Sequence, residues 1–448
     1  MPRILYVNGI VHSRFMSGLG LMQRLAKRGH HITCMSMANA SDRINDFPFD
    51  YIQLDRPEDS LWVDFQKDMG RKDKIKRLSE RRNRFIRINE IQDDFTELVK
   101  TTQPDLILCD VELVYHALAC LKLKVPIIMT MNWFSFWESK APPMHAMTIP
   151  GEGFPGSTLG VRLQWLKLKL RNYKERLRIY LSTVGVDPKS ILIHFCKQQG
   201  ISIKELEFGI WKLPAAMRNL PYMSFTAGEL DFPGNSVSKH HYVGPTVDEQ
   251  RSDKITPESR KGLDTLFAKR KDGSISSIVY ATLSTMFVSD REFLHRLIRA
   301  FGQQSDWHLV IGIGSSKTLF EEVTLPDTVH LYEWVPQLEV LRHSDCCITH
   351  AGTSSYIESI HFGVPMVVYS GGDWDQNGCA ARLVYHNLGV RGDKMNDDET
   401  SILKHIETAL TDTKIHHSLK RFRKIFKDYQ DNEVAERFIE AQLNTRDS

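Results

Sequence analysis

The sequence predicts an α/β protein of two domains, each a parallel sheet covered by helices on both faces. Three observations predict it. Short apolar runs rich in β-formers alternate with segments of helical period from the first residues onward. A polar stretch carrying three prolines and two glycines, Asp231 to Arg260, interrupts the alternation, which then starts afresh. A chain of 448 residues also exceeds one ordinary core, since domains hold roughly 100 to 200 residues.

RILYVNG (3–9) reads as a first strand, Met16 to Lys27 as a helix, and HHITCMS as a second strand after Arg28-Gly29. The pattern recurs at DLILCD (105–110), a helical Val114 to Leu123, and VPIIMT (125–130). After the polar stretch, SSIVYATL, WHLVIGI, HLYEW, DCCIT and PMVVYS are successive strands, with helices at Asp290 to Phe301 and Tyr356 to Phe362. Strands alternating with helices imply parallel sheets. The expected division is 1–235, a linker at 236–260, 261–430, and a helical tail at 431–448.

Composition narrows the class. A hydrophobic content of 42% and a net charge of +3 describe a globular protein with no global attraction to nucleic acid. The first apolar run is too short for a signal-peptide core, and no window reaches the ~20 apolar residues that span a bilayer. The seven cysteines (34, 109, 120, 196, 346, 347, 379) contain no C-x-x-C pair and mostly sit in apolar runs, so structural zinc is not expected and a cytoplasmic location is. Two stretches are locally basic. Lys67 to Arg87 is one, and 161–178 is the other, with seven basic residues against one acid. An amphipathic basic helix at 161–178 can touch an anionic membrane surface. Its apolar positions, Leu163, Trp165, Leu166, Leu168 and Leu170, spread over more than one face, which favours a solvated helix over an acceptor pocket.

The run CCITHAGTSSYIESIHFGVP places His350, Gly352, Thr353, Ser354 and Ser355 between a buried strand and a helix. Unpartnered first-turn amides and small hydroxyls make an anion site there, with Gly352 admitting a phosphate to the backbone. An ordinary Ser- or Thr-capped turn has the same composition. Downstream, Asp373-Trp374-Asp375 either chelates a divalent cation or reads sugar hydroxyls, and the residues alone leave both open.

The ordered set W-x-P-Q, H-x-G-x-x-S-x-x-E, G-V-P and D-Q, between Trp334 and Gln376, resembles the nucleotide-sugar signature of the UDP-glycosyltransferase superfamily. The resemblance implies a GT-B fold, two Rossmann-like domains facing across a cleft with the donor held mainly by the second. It implies that Trp334 stacks on uracil, with Val335 beside it and Gln337 near base and ribose. His350 and Ser355 would bind the diphosphate, with Gly352, Thr353 and Ser354 close by. Glu358 would take the ribose, and Asp375 with Gln376 the hexose. Ser284 and Thr285 lie in a donor-facing loop, where Ser284 stands in place of the usual Gly. Ser370 replaces a frequent Pro, and an inserted residue precedes Asp375.

The opening VHSRFMSGLGLMQRLAKRGHHIT resembles the same family, making His12 the catalytic candidate and Asp110, at the end of LILCD, its partner. His12 follows Val11 rather than Gly and lies farther than usual from Arg28-Gly29-His30. A neutral imidazole suits removal of a proton from an acceptor hydroxyl, and a carboxylate behind it fixes the tautomer. Trp133, Phe134, Phe136 and Trp137, in the aromatic stretch 131–147, are expected to line a lipophilic acceptor pocket. The implied reaction is metal- and cofactor-free inverting transfer of a hexose, expected to be glucose, from a UDP-sugar to a polyketide, phenolic, terpenoid or sterol hydroxyl. The alternatives are a membrane-lipid acceptor, a nucleotide-sugar epimerase and a non-catalytic nucleotide-sugar binder.

Overall fold

The computed structural model describes residues 1–9, 12–37, 44, 47–54, 95–182, 187–210, 213–235, 237–249, 251, 253, 255–282, 291–313, 325–372 and 375–444, with only the backbone at His12 and Ser182. The basic stretch 67–87 lies outside them.

The first half runs β1 (Arg3–Asn8), α1 (His12–Lys27), β2 (His31–Ser36), β3 (Asp50–Gln53), β4 (Leu106–Asp110), α2 (Val114–Cys120), β5 (Ile127–Met131), α3 (Thr158–Ser182), α4 (Pro188–Gln199), a small antiparallel pair β6 (Leu206–Glu207) and β7 (Ala216–Met217), then β8 (Tyr222–Ser224) and β9 (His240–Tyr242). Its sheet has the order β3-β2-β1-β4-β5-β8-β9, every neighbouring pair parallel. Residues 4–8 of β1 are all buried, because helices cover both faces of a parallel sheet, and this is why the strand reads as an unbroken apolar run.

The second half runs α5 (Pro257–Asp272), β10 (Ser277–Thr282), α6 (Arg291–Gly302), β11 (Trp307–Gly312), β12 (Val329–Tyr332), α7 (Gln337–His343), β13 (Cys346–Thr349), α8 (Thr353–Phe362), β14 (Met366–Val368), α9 (Gln376–Tyr385), β15 (Gly389–Arg391), α10 (Glu399–Thr411), α11 (Thr413–Asp431) and α12 (Val434–Asn444). Its sheet, β12-β11-β10-β13-β14-β15, is also parallel throughout. In each sheet the chain order reverses beside the first strand, between β1 and β4 and between β10 and β13. Open α/β sheets bind ligands at that point, beyond the carboxyl ends of the strands.

The stretch read as a linker, 236–260, contains regular structure. β9, inside 236–260, adds the edge strand to the first sheet, and α5 starts at Pro257, capped by Thr256, whose hydroxyl accepts from Ser259 N at 3.2 Å. The tail crosses back to the first domain. In α12, Ala435 and Ile439 pack in the core beside α1, and Glu436 pairs with Arg24. Arg28, in the turn just past α1, reaches Glu433 at 2.5 Å and Glu440 at 2.7 Å.

The two halves touch closely. Gly378 on α9 lies against the Met144 carbonyl, where an added Cβ would stand 1.5 Å from the oxygen. Beside it Arg382, fully buried, extends its guanidinium to Asp231, with the Phe134 ring centroid 4.2 Å and the Phe232 centroid 4.4 Å away.

Trp133, Phe134, Phe136 and Trp137, expected to line an acceptor pocket, are 0 to 4% exposed and belong to the main core. Their rings are held by neighbours on all sides. Phe136 and Trp137 pack edge-on to Tyr222, and Phe134 packs on Tyr356.

Candidate functional site

β13 delivers the chain into His350, Ala351 and Gly352, and α8 begins at Thr353. Ala351 has φ 64°, an unusual left-handed backbone for a residue with a side chain, and its amide donates to Thr349 Oγ1 at 3.2 Å. His350 is half-buried, with Nδ1 3.1 Å from the Thr282 carbonyl. A carbonyl accepts only, so the proton sits on Nδ1. Burial lowers the imidazole pKa, with the Thr282 hydrogen bond opposing. The need for glycine at 352 is also explained here. An added Cβ would lie 2.7 Å from His350 Nε2, so the absent side chain first makes room for the imidazole.

The residues expected to face the donor form a connected set, though each is engaged by protein. Gln337 accepts from Thr282 Oγ1 at 3.2 Å and from Tyr280 Oη at 3.3 Å, and its amide donates to Ser355 Oγ at 3.4 Å and to Glu358. Glu358 also meets Arg251 at 3.3 Å, and Arg251 meets Asp253 at 3.5 Å. Asp375 accepts from the Thr353 amide at 2.7 Å and from the Thr353 hydroxyl, so its carboxylate sits at the amino end of α8. Gln376 Oε1 accepts from Gly371 N at 2.8 Å. Trp334, between β12 and α7, is 38% exposed, and Val335 is buried. Ser284, Thr285, Asp373 and Trp374 lie outside the described residues. Among the described residues no three His, Cys, Asp or Glu side chains converge as a metal site.

On the opposite side, β1 leads into α1, whose first residue is His12, and β4 ends at Asp110. The His12 side chain is outside the description. Asp110, 3% exposed, accepts from Arg14 Nη1 at 3.2 Å and from the Glu112 amide at 2.8 Å. Arg14 continues to Glu112 at 2.6 Å and lies over the Trp133 ring. The sequence reading missed this cation, two residues after His12. A carboxylate this deep requires a charge partner, and burial pushes its pKa up while Arg14 pulls it down.

The two reversal points face one another. Ser17 Oγ of α1 lies 3.5 Å from Ser354 Oγ of α8, and Asn132 Nδ2, just past β5, donates to the same Ser354 oxygen at 3.0 Å. Asn132 Oδ1 is buried without a hydrogen-bond partner among the described residues. Ser17, Asn132, Arg251 and Arg382 carry no local signal in the sequence, because each is tied to a partner at least a hundred residues away.

Comparisons with known proteins agree with this architecture. Residues 277–431 match the family model described as UDP-glucoronosyl and UDP-glucosyl transferase. The chain is 32% identical over 180 residues to the oleandomycin glycosyltransferase of Streptomyces antibioticus, covering 40% of this chain and 41% of the relative. It is 30% identical over 234 residues to the uncharacterized UDP-glucosyltransferase YdhE of Bacillus subtilis, covering 50% and 56%. The match thus spans about half the length of these relatives. The NDP-glycosyltransferase YjiC of Bacillus subtilis is 26% identical over 347 residues, covering 77% and 74%. Among solved structures, the glycotransferase of kitacinnamycin superposes with a TM-score of 0.72 at 17% identity, covering 99% of this chain and 100% of that one. The calicheamicin glycosyltransferase CalG4 gives 0.66 at 19%, covering 99% and 98%. With two parallel sheets meeting at their reversal points and the signature residues gathered around α8, the chain has the GT-B fold, and its residues 277–431 match the UDP-glucoronosyl and UDP-glucosyl transferase family.

Proposed function

We propose that the protein is an inverting glycosyltransferase that moves a hexose, glucose first among candidates, from a UDP-sugar to a hydroxyl of a lipophilic small molecule. One observation supports this above the others: the start of α1, which carries His12, is set against the start of α8 through Ser17, Ser354 and Asn132. A base on one domain and an anion site on the other then flank a single point. The relatives whose names specify oleandomycin and calicheamicin make a natural-product acceptor the first class to test.

In this reading the diphosphate lies at the amino end of α8, where first-turn amides, the Ser354 and Ser355 hydroxyls and the helix dipole offset its charge. Asp375 already takes the Thr353 amide, so Ser354 and Ser355 carry the larger share. Glu358 and Gln337 meet the ribose, Trp334 the base, and Asp375 with Gln376 the hexose. The acceptor oxygen attacks the anomeric carbon from the face opposite the leaving group, and its proton passes to His12. The bond from the anomeric carbon to the β-phosphate oxygen breaks, and UDP leaves with the electron pair. Asp110 and Arg14 form a buried ion pair at the end of β4, and in this reading Asp110 has a positioning role toward the base. No metal or cofactor is part of the proposal.

The test is UDP or dTDP release from UDP-glucose, UDP-GlcNAc and dTDP-glucose with an acceptor panel, with and without EDTA, on wild type and His12→Ala. Release should survive EDTA and fall by orders of magnitude in the variant, since a general base contributes about 10²- to 10⁴-fold. Undiminished turnover in His12→Ala would remove the base assignment, and strict metal dependence would remove the account of the diphosphate site.

A further inference from the structure

Helix α3 has two apolar faces and, among the described residues, only one of them is covered. Val161, Trp165 and Leu168 are buried against the first domain, and Trp165 Nε1 donates to the Ala141 carbonyl at 2.9 Å. On the other side Leu159, Leu163, Leu166, Leu170, Tyr173, Leu177 and Tyr180 are 37 to 57% exposed. They recur at alternating steps of four and three, which at about 100° per residue confines them to a strip roughly 100° wide running the length of the helix. Leu181 and Phe154, the latter in the helical turn Gly153–Gly156 packed on the start of α3, are exposed at its two ends.

Cations border the strip on both sides. Arg162, Lys169 and Arg176 follow one edge, and Lys167, Lys174 and Arg178 follow the other, with Arg171 farther round. Glu138 meets Lys169 at 2.6 Å, Asp187 lies 3.8 Å from Arg176, and Glu175 pairs with Arg178 at 2.7 Å, which leaves the helix strongly positive in a chain whose whole net charge is only +3.

An apolar strip of period 3.5 is the pattern of a coiled-coil seam, so a second copy is the first occupant to consider. The flanks argue against it. Positions bordering such a seam face their counterparts in the partner, and here parallel or antiparallel pairing sets cations against cations. An anionic plane satisfies both parts of the face together. Its acyl region takes the leucines and tyrosines, and its headgroups take the basic rims, whose long stems can lie along apolar surface while the charge stays outside. The geometry points to α3 as a docking face for an anionic lipid bilayer, lying flat in the interface without crossing it. Among the described residues no helix is long and apolar enough to span a membrane. This inference stands on α3 alone and is independent of the reaction proposed above.

The test is co-sedimentation of the full chain with phosphatidylcholine vesicles and with vesicles containing about one third phosphatidylglycerol, at low and high salt. Wild type should bind only the anionic vesicles, less at high salt. Leu166→Asp with Leu170→Asp should lower the partition coefficient at least about tenfold, as the transfer of a leucine side chain requires. Lys167→Glu with Lys174→Glu should weaken it as well. All four positions are on the exposed side, so unchanged circular dichroism melts would show that folding is intact. Wild type that ignores anionic vesicles, or binding that both double variants retain, would overturn the inference. So would a wild-type dimer in sedimentation velocity that the leucine variant abolishes, which would assign the strip to a second copy.

Discussion

Replacing Arg382 by Met should be among the most damaging single changes in the molecule, although no substrate is proposed to touch it. Its guanidinium donates to Asp231 Oδ1 through Nε at 3.0 Å and through a second, shorter bond, and Nη1 donates to the Gly378 carbonyl at 3.1 Å. The carboxylate it meets is also buried and accepts from Asn235 Nδ2 at 2.7 Å and from the Tyr242 hydroxyl. Met restores the volume and the apolar contacts with Phe134 and Phe232 but leaves Asp231 charged and without its cation. Removing one partner of a buried pair costs about 3 to 5 kcal/mol. For domains of this size, at about 2 to 4 °C per kcal/mol, that lowers the melting temperature by roughly 6 to 20 °C. The assay is a thermal melt of Arg382→Met, Asp231→Ala and the double variant. The double variant should be less damaged than the sum of the singles, since it buries no unpaired charge. A melting point within about 2 °C of wild type for Arg382→Met, or strict additivity of the pair, would refute the argument that this ion pair fastens α9 to the first domain.

Two further outcomes follow from histidines. With the His350 proton on Nδ1, a neutral ring presents a lone pair at Nε2, so a diphosphate gains a hydrogen bond there only if the ring takes up a proton. Calorimetry of UDP-glucose binding in two buffers of different ionisation enthalpy should therefore report proton uptake near neutral pH, absent in His350→Gln, with affinity weakening as pH rises; buffer-independent heats would exclude the coupling. Separately, burial lowers His116, His240, His330 and His386 to about 4. The unfolded chain binds protons that the folded chain refuses, so this stability is complete above about pH 6.5 and is lost as pH falls towards 4, at up to about 1.4 kcal/mol per pH unit for a fully buried ring. Asp110, raised by burial, opposes this as one group against four. Melting temperature should already fall between pH 6.5 and 5, and a flat profile over that interval would contradict it.

The sheets were legible because their cause is local. Parallel strands covered on both faces are continuous apolar runs, as LILCD is, and an element that starts from a strand end announces its own position. What joins the domains was not legible. Arg382 and Asp231 stand on elements that no periodicity relates, and Arg14 reads as one more basic residue in a helix until Asp110 is seen beneath it. The exposed strip of α3 was hidden for a different reason. Trp165 and Leu168 face inward while Leu166 and Leu170 face outward, so a count of apolar positions spreads around the helix and only burial separates the faces.

The reading of Asp375 illustrates what a motif can and cannot specify. The sequence left cation binding and sugar recognition open for Asp373-Trp374-Asp375, and the family resemblance favoured the second. In the structure the Asp375 carboxylate does a third thing, accepting two hydrogen bonds from Thr353 at the start of α8. These roles are compatible. A carboxylate has two oxygens and about four lone-pair positions, and the two bonds to Thr353 use only Oδ2. The helix end therefore orients the carboxylate and leaves its other oxygen for a ligand hydroxyl. Gln376 follows the same plan, with its oxygen tied to Gly371 while its amide nitrogen keeps donor capacity. Side chains fixed in this way lose little freedom when a sugar arrives, which is how a shallow polar site gains selectivity without a large buried area. In the proposed reading a diphosphate would meet a helix end already partly neutralised by Asp375. On that reading its affinity would come from several directional hydrogen bonds at His350, Ser354 and Ser355 more than from the dipole of α8 alone.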